Sequence, residues 1–283
     1  MKSFAVSDLI TDRGDHPINE DCIGWSNRFA WVMDGASAIG SVPWIDSISD
    51  ANWLVSQYET AIRELISPTI SCRQLIRDAI SIVASRAPAP IAESLLPNLA
   101  IGILKIESDG ASFFGLGDVT ISLVDSEGRV VTPLMGKMTK YDVSAIQKIQ
   151  SLAASGFDIE TAKEQVYAEI IRDRVTFMNK ENGYWTISFE IDAVKHGVSG
   201  EAKMELSEAW LMTDGFRRYD EIYGLGPSLE ESISQWRSTG LRRALSELRQ
   251  VEIEDFDMKV HPRISISDDA SCARLVAREL GDD

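Results

Sequence analysis

Asp34-Gly35 closes the apolar run Phe29-Ala30-Trp31-Val32-Met33, and Asp214-Gly215 closes Trp210-Leu211-Met212-Thr213. Asp268-Asp269 stands just before another apolar run, residues 271–277. Asn19-Glu20-Asp21 and Gly117-Asp118 add two further acidic positions. Each motif puts a carboxylate where a buried strand is expected to meet solvent. The glycine after Asp34 or Asp214 is expected to turn the backbone with φ > 0 and to aim a carbonyl at a ligand. Asp-Gly is also a common turn dipeptide, and 44 acidic residues produce several without any function. Chemical meaning therefore lies in the set rather than in any one turn.

Carboxylates that converge without neutralisation repel, and at least one takes up a proton. Hard cations relieve that repulsion. Mg²⁺ and Mn²⁺ prefer oxygen ligands and usually keep several waters. Two such ions ~3.5–4 Å apart can share a water, lower its pKa and stabilise in-line attack on phosphorus. Phosphate monoesters are among the slowest bonds to hydrolyse unaided. A chain with 44 acidic residues but only three cysteines and three histidines suits that chemistry better than a phosphocysteine or zinc route.

Bulk properties narrow the field. The formal charge of −16 repels phosphate backbones and argues against nucleic-acid binding. It leaves a phosphorylated substrate open, since bound cations invert the field of an acidic cleft. No apolar run reaches the ~18–20 residues that cross a bilayer, and the opening Met1-Lys2-Ser3-Phe4 lacks a signal-peptide core, so a cytoplasmic protein without a membrane partner is expected. Cys22, Cys72 and Cys272 are odd in number and far apart, which fits buried thiols rather than a disulfide framework.

The elements that must position the aspartates read as follows. Strands are expected at 4–6 and 29–33, then a helix over 50–66 with Leu54, Tyr58, Ile62 and Leu65 on one face. Ser71 and Gln74 open a second helix in a capping-box pattern, with Leu75, Ile76, Ala79, Ile80 and Val83 along one side. Runs at 99–106, 111–115, 119–124 and 129–132, separated by turn residues, read as an antiparallel meander. A helical stretch over 142–175 breaks at Ser155-Gly156, and 184–191 returns to strand. Residues 208–213 form a strand, helices follow near 228–238 (capped by Ser228) and 241–250, and 271–277 is the last strand. Trp25, Trp31, Trp44, Trp53, Trp185, Trp210 and Trp236 are expected in or near the core. Helices come in pairs between groups of antiparallel strands, which points to an α+β sandwich rather than a doubly wound sheet.

In this order the motifs resemble the protein phosphatase 2C family of metal-dependent Ser/Thr phosphatases, also called the PPM phosphatases, in a bacterial version. The matching segments are Asn19-Glu20-Asp21, Trp31-Val32-Met33-Asp34-Gly35, Gly115-Leu116-Gly117-Asp118-Val119, Leu211-Met212-Thr213-Asp214-Gly215 and Asp268-Asp269-Ala270-Ser271. Gly183-Tyr184-Trp185 is similar to a segment of some bacterial members. The resemblance spans nearly the whole chain, residues 1–283, as one domain. It implies a four-layer α-β-β-α sandwich: two antiparallel sheets flanked by helices, with a metal centre at one edge. It implies that Asp34 bridges two Mn²⁺ or Mg²⁺ ions, that the Gly35 carbonyl binds one of them, and that Asp214 and Asp268 complete the first site. Asp21, beside Glu20, would act mainly through water, and Asp118 would serve a third, weaker ion. The implied reaction is hydrolysis of phosphoserine or phosphothreonine in a phosphoprotein by a metal-activated water, with a cognate Ser/Thr kinase as a possible counterpart.

Two departures bear on the chemistry. Many members carry His after Asp-Gly as a general acid; Ala36-Ser37 stand there in this chain. Many carry an Arg shortly before Asn-Glu-Asp that holds phosphate; here His16 falls nearest and Arg13 lies a little earlier. Arg13 and His16 are thus the candidate phosphate-binding residues, Arg13 better suited because a guanidinium grips two oxygens. Residues 137–179 fall where the family varies, in a flap-like helical segment expected to pack on the sandwich. A regulatory or phosphopeptide-binding protein of the same fold, and a phosphatase for a small metabolite, are the competing readings.

Overall fold

The computed structural model describes residues 2–37, 49–88 and 96–279. Trp44 lies outside them. The chain runs β1 (Lys2–Asp12), β2 (Asp21–Ser26), β3 (Phe29–Ala36), α1 (Asp50–Leu65), α2 (Cys72–Arg86), β4 (Asn98–Glu107), β5 (Gly110–Leu116), β6 (Thr120–Asp125) and β7 (Val130–Leu134). It continues through α3 (Lys140–Ala154), α4 (Ile159–Phe177), a 3-10 turn (Ile191–His196), β8 (Val198–Lys203), β9 (Leu206–Met212), α5 (Asp214–Glu221), α6 (Leu229–Thr239), α7 (Leu241–Glu254) and β10 (Ala270–Glu279). The strands form two five-stranded sheets, in the orders β1-β10-β9-β6-β7 and β2-β3-β4-β5-β8, with every pairing antiparallel.

Side-chain alternation builds the layers. In β3, Phe29, Trp31 and Met33 pack with Leu54, Tyr58 and Ile62 of α1 and Leu75, Ile76 and Ile80 of α2. The intervening Ala30 and Val32 face the space between the sheets, with Leu104, Ile121, Leu211 and Leu275. In β9, Trp210 and Met212 face outward onto Phe216, Ile233, Trp236 and Leu248 of α5–α7, while Ala209 and Leu211 face inward. Strands buried on both faces read as continuous apolar runs, because period-2 polarity vanishes when helices cover the outer face. The result is the expected α-β-β-α sandwich.

Helix starts follow the local signals. Ser49, Ser71, Thr139, Asp158 and Ser228 each accept a backbone N–H in the first turn, and Thr139 with Asp142 forms a reciprocal capping box.

Three expectations are corrected. The middle strands do not form one meander: β4–β5 belong to one sheet and β6–β7 to the other. Gly117, at φ +95°, turns the chain across the sandwich, close against Ala100 where a side chain would overlap it. Residues 184–191 form no strand; they make isolated bridges at Tyr184 and Ile187 and then the 3-10 turn. The strand that completes the second sheet is instead β8, which is mostly exposed and shows no apolar run. Helices α3 and α4 pack chiefly on each other around Ala145, Ile149, Ala162 and Val166, rather than spreading over the sandwich.

Candidate functional site

Strand register brings the acidic motifs to one end of the gap between the sheets. Asp21 stands directly opposite Asp34 in the β2–β3 ladder. Opposite residues in a ladder share a face, and Asp34 has the parity of Ala30 and Val32, the inward face. Thr213, fully buried at the end of β9, donates its hydroxyl to Asp21 Oδ2 at 2.8 Å. It thereby ties the two sheets together where Asp214 begins. On the other flank of Thr213, its backbone N–H donates to the Ser271 carbonyl at 3.0 Å, and the Ser271 N–H donates to its hydroxyl at 3.0 Å. This lays Asp268-Asp269 beside the Asp214 turn. Asp118 arrives on the crossing from β5 to β6.

Two glycines make this approach feasible, by a different route from the expected one. Neither Gly35 nor Gly215 has positive φ. A Cβ on Gly215 would lie 1.9 Å from the Asp269 carbonyl oxygen, and one on Gly35 would lie 2.8 Å from the Glu20 carbonyl oxygen. Both positions need glycine for close packing of backbone on backbone. Asp214-Gly215 is moreover no turn: it opens α5, where the N-terminal end of the helix favours a carboxylate.

The electrostatics are those of crowded acids. Burial pushes the Asp34 carboxyl well above its usual range, and Asp214, Asp21, Asp118 and Asp268 push it further. Asp214 is raised by burial and by Asp268, against the opposing pull of Arg218 and of a hydrogen bond shared with Asp34. Asp118 is raised to about 8, by burial first and by Asp214 next. Asp21 is raised by burial, although hydroxyl donors Ser271 and Thr213 work against the shift; its Oδ1 is buried without a hydrogen-bond partner. Among the described residues no three acidic, histidine or cysteine side chains are already closed into a ligand cage. The donor set still fits hard divalent cations: it is all oxygen, dominated by carboxyl groups, and holds an unpartnered Asp21 carboxylate oxygen.

A cavity of about 730 Å³ opens over the cluster. Asp34, Gly35, Asp118, Asp214, Asp268, Glu20 and His16 line its acidic end. Asp21 and Arg13 do not line it. His16 Nδ1 lies 3.5 Å from Asp269 Oδ1, and its Nε2 lies 4.0 Å from Asp268 Oδ1. The bond to Asp269 and the charges of Asp268 and Glu20 raise its pKa against the effect of burial. Arg13 turns away and donates to the Pro17 carbonyl at 2.7 Å. The far wall comes from α3, α4 and the segment after them, including Tyr141, Asp142, Asp173, Arg174, Tyr184 and Trp185.

Sequence reasoning passed over two basic residues of this cavity. Arg218, four residues after Asp214 on α5, donates to Asp268 Oδ2 and to Ser265 Oγ. Both partners are distant in sequence, so no local spacing marks the pairing. Arg174 reaches from α4 to the Ser37 carbonyl at 2.8 Å and joins the helix pair to the end of β3. No pattern in the sequence marks it.

Solved structures of the same fold cover nearly the whole chain. A bacterial serine phosphatase carrying an arginine-to-glutamate substitution aligns with a TM-score of 0.52 at 12% identity, over 97% of this chain and 99% of that one. The catalytic domain of the serine/threonine protein phosphatase PstP, in complex with two manganese ions, aligns with a TM-score of 0.52 at 13% identity, over 99% and 100%. The Mycobacterium tuberculosis phosphatase PstP/Ppp aligns with a TM-score of 0.50 at 13% identity, over 98% and 97%. No protein-family model and no curated protein matches the sequence. At such identity the likeness is one of fold: the chain has the fold of bacterial PPM-type Ser/Thr phosphatases, as its ordered motifs imply. No helix among the described residues is long and apolar enough to cross a membrane.

Proposed function

We propose that the chain is a metal-dependent phosphatase acting on phosphoserine or phosphothreonine in proteins, its residues 1–283 forming one catalytic domain that works in the cytoplasm opposite a Ser/Thr kinase. The observation that carries this reading is the convergence of Asp21, Asp34, Asp118, Asp214 and Asp268 at one end of the inter-sheet gap, with raised pKa values throughout the four that shift. Asp34 and Asp214 would hold Mn²⁺ or Mg²⁺ with the Gly35 carbonyl, and Asp21 and Asp118 would stand in support. When bound, the cations supply the positive charge that neutralises a phosphoryl group and activates water for in-line attack.

The chain's own residues do the rest. Asp34 and Asp214 would serve as ligands in their deprotonated form. Thr213 holds the Asp21 carboxylate in place. His16, whose pKa is raised, would offer a ring N–H at the rim to a phosphoryl oxygen. Arg13 would have to leave Pro17 to do the same. The helix pair α3–α4 forms the wall along which residues flanking the phosphoamino acid would lie.

The test is hydrolysis of p-nitrophenyl phosphate and of phosphoserine and phosphothreonine peptides. Mn²⁺ should stimulate it, EDTA should abolish it, and Asp34→Ala or Asp214→Ala should remove nearly all of it. Full activity in either variant would sink the assignment. Turnover of sugar phosphates alone would move the substrate class to small metabolites.

A further inference from the structure

Arg218 is the cation already inside the aspartate cluster. It is only 8% exposed, and it carries charge among acids on three sides. Its Nη2 donates to Asp268 Oδ2 and, at 3.1 Å, to Ser265 Oγ, and its Nη1 lies 3.9 Å from Glu252 Oε1. Burial works against its charge, yet Asp268, Asp214 and Glu252 hold its pKa above the ordinary value. The arrangement is braced. Arg249 donates to Glu252 Oε2 at 2.7 Å, to the Asp268 carbonyl at 2.7 Å and to Asp12 Oδ1 at 2.9 Å, fixing the acids that surround Arg218.

The consequence falls on Asp268. Its Oδ2 is taken by Arg218, and its Oδ1 accepts the Asp269 N–H at 3.2 Å and faces His16 Nε2 at 4.0 Å. Each oxygen thus already accepts one hydrogen bond, which leaves Asp268 less free than its neighbours to take a metal. Other oxygens of the cluster are better placed for a metal: the unpartnered Asp21 Oδ1, and the carboxyl groups of Asp34, Asp118 and Asp214 that line the cavity. Pulling Arg218 from Asp268 would strand a buried guanidinium, a cost that an exposed side chain escapes.

We infer that the Arg218 guanidinium takes the place of one of the two cations, so that this centre holds a single divalent cation beside a built-in positive charge. The inference rests on the proposed metal centre and departs from the binuclear arrangement. Arg218 is a positioning residue here: it neutralises Asp268 and Asp214 without touching substrate.

The test is Mn²⁺ stoichiometry by calorimetry, with electron paramagnetic resonance of the loaded protein as a second readout. The native chain should bind about one Mn²⁺ and give the spectrum of an isolated ion, because spin coupling requires two ions roughly 3.5–4 Å apart. Arg218→Met frees Asp268 and should bring the count to about two with a coupled spectrum. Arg218→Lys keeps the charge and should keep the native count. If Arg218→Met does not fold, Asp268→Asn decides. Its loss of Mn²⁺ affinity should stay within the roughly 10–100-fold that loss of a second-shell partner costs, with Asp34→Asn losing more. Two coupled ions in the native chain, or an unchanged count in folded Arg218→Met, overturns the inference and leaves the metal centre standing. Equal losses for Asp268→Asn and Asp34→Asn do the same. No Mn²⁺ binding at all overturns both.

Discussion

Asp34 and Asp21 sit at one register position of the β2–β3 ladder, two like charges across a strand pair. Like charges directly opposite destabilise a sheet, and burial adds to the cost. A residue kept for stability would not be placed there. Asp34→Asn preserves shape and removes one of the repelling charges. In the metal-free protein it is expected to raise the melting temperature by about 2–4 °C, from roughly 1 kcal/mol of relieved repulsion. The same variant should lose Mn²⁺-induced stabilisation and nearly all phosphatase activity. Thermal melts with EDTA and with Mn²⁺ separate the two effects. A drop in the metal-free melting temperature would mark Asp34 as a structural acid.

At the scale of elements, α5 carries the site more than any other helix, because it holds both Asp214 and Arg218. Its start depends on Gly215. Alanine there improves helix propensity by up to about 1 kcal/mol. Its Cβ, however, would lie 1.9 Å from the Asp269 carbonyl oxygen, a backbone atom that cannot rotate away. Overpacking of this kind costs typically 1–3 kcal/mol, so the overlap wins. Gly215→Ala is expected to lower the denaturation midpoint and to weaken Mn²⁺ binding, because relief requires moving Asp268-Asp269 away from Asp214. An unaltered Mn²⁺ affinity would show that the two turns are not coupled.

Much of the element order was legible. Apolar runs located β3, β4, β6, β9 and β10, periodicity located α1, α2, α6 and α7, and Ser71 and Ser228 capped helices as their types predict. What escaped had physical reasons. Helix α5 is eight residues long and hides behind an Asp-Gly that imitates a turn. Strand β8 is exposed on most positions and carries no apolar signature. The division of the middle strands between two sheets depends on Gly117, whose positive φ no local pattern announces. The aspartates could be read as a set because Asp34 and Asp214 end apolar runs and Asp268 precedes another. Arg218 and Arg174 could not, because their partners are distant in sequence.

For the molecule as a whole, net charge and the buried acids act in the same direction. The chain carries −16, so metal-free folding works against its own repulsion as pH rises. Asp21, Asp34, Asp118 and Asp214 have folded pKa values above the ordinary aspartate range. A group raised in this way binds more protons folded than unfolded. Its stabilisation is complete below about pH 4 and is lost as pH climbs through the folded value, which for Asp118 is about 8. His16, also raised, adds a loss of the same sign. Acids with lowered values, such as Asp125 and Asp158, change only below their ordinary range and do not oppose this trend near neutrality. In EDTA the melting temperature should therefore fall between pH 5.5 and pH 8 by at least about 4 °C, corresponding to roughly 2 kcal/mol. Mn²⁺ inverts the sign, since it binds the deprotonated carboxylates and releases their protons. The Mn²⁺-induced rise in melting temperature should be larger at pH 8 than at pH 5.5, and calorimetry in buffers of different ionisation enthalpy should register proton release on binding. A metal effect that shrinks as pH rises would show that the carboxylates of the inter-sheet gap are not where the cation goes.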